Sequence, residues 1–146
     1  MRNHRALSLV ICGLAVSTAL LSRPLVGAEA VREPVRLIFD TDIGNDVDDA
    51  MALCMIHAMA SRGECQPLAV TITKDNPYAA PIVDLLNTFF GRPEIPIGMV
   101  RGGVTPQDGK YLRQVVTAED NGQSRYPHKL RNSSEAPEAV GLLRKI

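Results

Sequence analysis

The sequence predicts an α/β fold, a parallel sheet covered by helices, and three observations carry that expectation. Three short apolar stretches with strand character, VRLIF, PLAVTIT and IPIGMV, are separated by two segments of helical length. The middle stretch, Pro67 to Thr73, is rich in β-branched residues and lacks polar alternation, as strands buried on both faces do. Between the first strand and the first helix lies LIFDTDIGNDVDDAMAL, Leu37 to Leu53, which places five aspartates and a glycine where strand should turn into helix.

The 146 residues, 45% hydrophobic and 22% charged, have the composition of one globular domain and not of a disordered chain. The opening thirty residues stand apart from it. MRNHR is basic, ALSLVICGLAVSTALL is uncharged and apolar, and LVGAEA supplies small residues for cleavage after Ala28 or Ala30. Residues 1–28 therefore read as a secretory signal peptide, which implies a secreted or periplasmic protein. The competing reading is a retained anchor, since the run is near the lower limit of about 17 residues for a membrane span. Cys12 follows Ile11 too early for a lipoprotein cleavage box. Cleavage after Ala28 removes Arg2, Arg5 and Arg23 and no acid, leaving a net charge of about −3 on the remaining chain. That balance gives no reason to expect nucleic acid, or a membrane once the leader is gone, and a homo-oligomer is compatible with it. Cys54 and Cys65 remain, in neither a disulfide framework nor a metal-binding pattern; one bridge could join them, but Cys54 sits in an apolar helical run that suits a core thiol.

In chain order, VRLIF ends abruptly at the acidic loop. DDAMALCMIHAMASRG then reads as a helix stopped by Gly63 after Arg62, apolar almost all round and so expected to be buried on most sides. In KDNPYAAPIVDLLNTFFG, Asn76 can cap a helix, Pro77 suits its first position and Gly91 ends it. Ile95 to Val100 makes the third strand. Arg101 to Ser134 reads as a long loop with only YLRQVV offering a structured patch, and SSEAPEAVGLLRKI as a final helix capped by serine.

The acidic loop carries the chemistry. Asp40 and Asp42 flank the strand end, Gly44 permits a turn, and Asp46, Asp48 and Asp49 lead into the helix, so the carboxylates converge at the carboxyl end of the sheet. Each should resist ionisation beside its neighbours unless a cation or a shared proton intervenes. Hard oxygen donors at that density suit Ca²⁺ or Mg²⁺, not zinc. Asp48 and Asp49 have a simpler explanation as first-turn acids facing the helix dipole, which leaves Asp40 and Asp42 unexplained. An EF-hand fails: counted from Asp40, glycine is fifth instead of sixth, and Met51 stands where a bidentate Glu is needed.

RLIFDTD resembles the strand end of haloacid dehalogenase-type phosphatases, which would make Asp40 a nucleophile and Asp42 an acid beside Mg²⁺. That resemblance stops at Asp42, because three more acids follow. The whole stretch from Asp40 to Ala50 more closely resembles the inosine-uridine nucleoside hydrolase family, whose D-x-D-x-G-x-D-D-A loop is two residues shorter between the glycine and the paired aspartates. VTITKDNP and FGRPEIPIGMVRGG are similar to that family's second and third strands, so the likeness spans Val35 to about Gly103. It implies a Rossmann-like nucleoside hydrolase fold over Val35 to Ile146, Ca²⁺ as cofactor and a ribonucleoside or other N-riboside as substrate. Asp42 would be the water-activating base and a calcium ligand, Asp49 a second ligand, and Asp48 and Asn76 the ribose partners. Asp46 lies in the inserted pair and would be a ligand or take the place of Asp48; Asp40 would be structural. The family's later calcium ligands and its leaving-group histidine lie further along a longer chain. The 146 residues are therefore expected to correspond to the N-terminal portion, either as part of a hydrolase or as an inactive remnant that binds a cation weakly. Asn76 as a plain helix cap is an equal alternative; His57 reads as a core histidine and His128 as a loop residue.

Overall fold

The computed structural model describes residues 32–103 and 105–146; the expected signal peptide lies outside them. Among the described residues no helix is long and apolar enough to cross a membrane. Val35–Thr41 forms β1, Cys65–Ile72 forms β2 and Ile97–Met99 forms β3. They make a parallel sheet in the order β1-β2-β3, so the α/β class is observed. Pro67 lies in the central strand, where it has no N–H to offer. The register shifts at that point, from Leu37 opposite Pro67 to Ile38 opposite Ala69, as a proline inside a sheet requires.

Helix α1, Asp48–Ser61, joins β1 to β2, and α2, Ala79–Phe89, joins β2 to β3. The core gathers Val70, Ile72, Ile97 and Met99 from the sheet with Leu53 of α1 and Ile82 and Val83 of α2. Helix α1 corrects the sequence reading: only Leu53 and His57 are buried in it, and Met51 and Met55 are 57% and 62% exposed. Apolar residues all round gave no face to choose, and one sheet face needs only one stripe of helix. His57 is a core histidine, with Nε2 2.9 Å from Asn87 Oδ1 and its ring stacked on Phe90. Cys54 and Cys65 are both free thiols, Cys65 buried and Cys54 half-buried.

The segment read as a long loop is partly ordered by side chains of α2 and its flanks. It contains α3, Leu112–Val116, and a two-residue hairpin of β4, Glu119–Asp120, with β5, Gln123–Ser124. Buried Asp84 accepts the backbone N–H groups of Lys129 and Leu130 at 2.6 and 2.8 Å through one oxygen. Ala80 N donates to Ser133 Oγ at 2.9 Å. The final helix is divided: a 3-10 turn, Ser133–Glu135, is capped by Asn132 in place of serine, and α4, Ala139–Leu143, is capped by Glu138. Pro137 between them cannot continue the first turn's hydrogen bonding. Helix α4 packs on β3 so closely that a Cβ on Gly98 would meet Ala139 Cα at 2.8 Å.

Candidate metal and substrate site

The five aspartates lie at the carboxyl end of β1, where the chain turns from strand to helix. Ile43 is fully buried and turns the loop inward, its N–H held by Thr41 Oγ1 at 3.1 Å. Gly44 follows with φ 125°, a conformation that excludes a Cβ, and an added Cβ would stand 2.6 Å from Leu112. The next loop locks on here: Lys110 N donates to Gly44 O at 2.8 Å. Helix α1 starts at Asp48 after Val47, which offers no side-chain cap; Asp48 and Asp49 are the acids of its first turn, and Asp48 Oδ1 accepts the N–H of Asp49 at 2.9 Å.

Two groupings result, and Asp49 belongs to both. Asp40, Thr41, Asp42, Asp49, Thr73 and Thr105 line an open cavity of about 380 Å³ at the ends of β1 and β2. Asp46, Asp48 and Asp49 each offer an oxygen within 4.8 Å of the others. Asp40 is steadied from β2, with Oδ1 accepting the Thr71 hydroxyl at 2.5 Å.

Ionisation within the loop is uneven, which corrects the expectation that every aspartate resists it. The Asp46 carboxyl is raised above its ordinary 3.8 by its hydrogen bond with Asp48 and by that neighbour's charge. The Asp48 carboxyl is lowered, because it accepts that hydrogen bond and the Asp49 N–H. Asp49 is raised, first by burial and then by Asp42 and Asp48, against a lowering hydrogen bond from Thr41.

Asn76 is brought near the loop system but not into the cavity. It is buried, and its Nδ2 donates to Pro106 O at 2.9 Å and Asp108 Oδ1 at 3.0 Å while its Oδ1 accepts Tyr78 N. The expected helix cap is corrected accordingly: Asn76 builds a turn two residues before Tyr78, the residue that caps α2. His128 is half-buried, with its Nδ1 2.7 Å from Tyr126 O.

Two residues next to the acids have no counterpart in the sequence reading. Lys74 is wholly buried, and its Nζ donates to Asn45 Oδ1 at 3.0 Å; Asn45 in turn reaches Asp42 Oδ2 at 3.5 Å. Tyr111 has a buried hydroxyl that, among the described residues, makes no well-formed hydrogen bond and lies beside the Gly44 backbone. Its phenol is pushed up to about 12 by burial and then by the charges of Asp49, Asp46 and Asp48. The only signal for either was a polar side chain beside a strand end or in a loop, which does not specify a partner twenty-nine residues away. No family model, curated protein or solved structure matches the chain.

Proposed function

We propose that the acidic cavity is a Ca²⁺ site serving hydrolysis of the N-glycosidic bond of a ribonucleoside or other N-riboside, in a Rossmann-like nucleoside hydrolase fold. One observation carries the cation: Asp49 sits at once in the cavity wall with Asp42 and in a trio of carboxylates whose oxygens lie within 4.8 Å. Oxygens bound to one Ca²⁺ at 2.3–2.6 Å stand at most roughly 5 Å apart, so the trio is compatible with a shared ion. Among the described residues no histidine or cysteine lines the cavity, and an all-oxygen donor set favours Ca²⁺ over zinc.

When bound, Ca²⁺ grips vicinal sugar hydroxyls and makes a nearby water more acidic. The chain's own residues do the rest. Asp42, exposed on the cavity wall, is placed to take the proton of the attacking water. Asp48, whose carboxyl is lowered by its hydrogen bond with Asp46 and by the Asp49 N–H, is placed to accept a hydrogen bond from a ribose hydroxyl. The carboxylates together favour the positive charge that develops on the sugar as the bond to the base lengthens. Asn76 reaches a ligand only if the segment at Pro106 and Asp108 lifts, so in this reading it anchors that segment.

The phosphatase alternative, with Asp40 as nucleophile beside Mg²⁺, is the weaker reading, because that resemblance ends at Asp42 while Asp40 Oδ1 is held by the Thr71 hydroxyl. The reading is tested by incubating the protein with ribonucleosides and measuring free ribose. We expect Ca²⁺-dependent release, abolished by chelation, slower with 2′-deoxyribonucleosides, and reduced about 10²-fold or more by Asp42→Asn. Cation binding without ribose release would reduce the chain to a cation-binding remnant, and neither would overturn the proposal.

A further inference from the structure

Just past the end of β2 the chain turns a lysine inward. Lys74 is 0% exposed and is the largest wholly buried side chain among the described residues. Lysine is rarely buried without a charged partner, because its ammonium gives up water that an apolar interior does not replace. Lys74 belongs to none of the ion pairs among the described residues, and its Nζ donates at 3.0 Å to the neutral Asn45 Oδ1. An ammonium only donates, so it fixes the Asn45 amide with Oδ1 toward itself and Nδ2 toward the acidic loop, where Asp42 Oδ2 stands at 3.5 Å. These two links and the width of an amide place Nζ within about 9 Å of the Asp42 carboxylate. The loop has a second cation of a different kind: Lys110 is exposed, and its charge acts on Asp46.

We propose that Lys74 is the internal counter-ion of the acidic loop. It offsets part of the loop's negative charge when no cation is bound, and by the same charge it opposes a divalent ion and holds the site's affinity down. The inference rests on the cation reading of the loop. Asp42 and Asp49 in the cavity wall, with Asp46 and Asp48 beside them, repel one another in the empty loop, and a fixed positive charge beneath them reduces that repulsion. The ammonium in turn draws from these carboxylates the negative field that its neutral partner does not supply. A divalent ion and Lys74 then share one set of carboxylates, so each weakens the hold of the other, and the coupling is reciprocal. Burial shields this coupling from dissolved salt, whereas that of Lys110 is screened. A lysine that only braced the loop would act in the opposite direction, since its loss would loosen the loop and weaken any site built on it.

Titration calorimetry with Ca²⁺ on the full chain tests the inference. Lys74→Met keeps the apolar stem and removes the charge, and it should bind Ca²⁺ about tenfold more tightly than wild type. The same Ca²⁺ concentration should therefore raise its melting temperature further. In about 0.5 M KCl that difference should persist, while Lys110→Met should stay within about twofold of wild type. If Lys74→Met does not fold in chelator, saturating Ca²⁺ should restore the fold by taking over the missing charge. Unchanged or weaker Ca²⁺ binding by Lys74→Met, an equal effect of Lys110→Met at that salt, or a Lys74→Met chain that stays unfolded in Ca²⁺ would each overturn the inference and leave the cation site standing. A wild type and variants that all fail to bind Ca²⁺ would overturn the cation reading, and the inference with it.

Discussion

The ammonium of Lys74, wholly buried, donates a 3.0 Å hydrogen bond to Asn45 Oδ1 at the turn of the acidic loop, across twenty-nine residues of sequence. A positive charge is thus built into the base of an otherwise negative loop, and its protein partner is a neutral amide.

A size-reversed effect follows at Asn45. Asn45→Ala opens a path for water to replace the lost acceptor, whereas Asn45→Leu fills the space and leaves the ammonium unpaired. An unsatisfied charged donor costs more than an ordinary hydrogen bond, so Asn45→Leu should destabilise by about 2–3 kcal/mol and Asn45→Ala by about 1 kcal/mol. Urea unfolding of both variants measures the order. The reverse order would show that Lys74 does not depend on Asn45.

Gly44 is the point where the acidic loop and α3 meet. Its φ is 125°, and a methyl group added there would stand 2.6 Å from the Leu112 side chain, so Gly44→Ala meets both backbone strain and overpacking. The combined cost should be about 3 kcal/mol. Leu112→Ala removes the steric part, so the same glycine substitution should cost less in that background. Equal costs in the two backgrounds, by a double-mutant cycle, would remove Leu112 from the explanation.

Stability should fall in mild acid through His57. Burial lowers its pKa below 6.5, opposed by the Asn87 hydrogen bond and reinforced by Arg92. Between the lowered value and 6.5 the unfolded chain binds more protons, so the stabilisation is complete above 6.5 and is lost as the pH falls toward the folded value. His57→Gln should flatten this dependence. Parallel urea midpoints for variant and wild type on both sides of pH 6.5 would contradict it.

Much of the architecture is legible where one local signal suffices. The strand runs around Phe39, Val70 and Gly98 and the helices between them follow from composition and chain punctuation, and the aspartates converge because a strand end and a helix start are adjacent in sequence. Legibility ends where a side chain answers to a distant partner. Asn76 looks like a cap, but its Oδ1 holds Tyr78 N in a turn ahead of the helix, which starts at Ala79, while its Nδ2 is committed to Pro106 and Asp108. Lys74 and Tyr111 reach the loop through tertiary placement alone. The outward methionines of α1 were illegible for another reason: a helix of Ala, Met, Cys and Ile has no polar stripe to mark its solvent face.

The proposed function stands on the aspartate loop binding a divalent cation in the folded state. A ligand that binds only the folded chain stabilises it by about 1.4 kcal/mol at ten times its Kd, and an open calcium site should have a Kd on the order of 10⁻⁴ to 10⁻³ M. The decisive measurement is the melting temperature of the protein with and without Ca²⁺ at about ten millimolar, beside Asp42→Asn, Asp49→Asn and Asp75→Asn. Asp75 accepts Gly103 N at 3.0 Å away from the acidic trio and serves as the control. A rise of several degrees is expected for wild type and Asp75→Asn, and none for Asp42→Asn or Asp49→Asn. A folded wild type whose melting temperature does not change with Ca²⁺ or Mg²⁺ would contradict it.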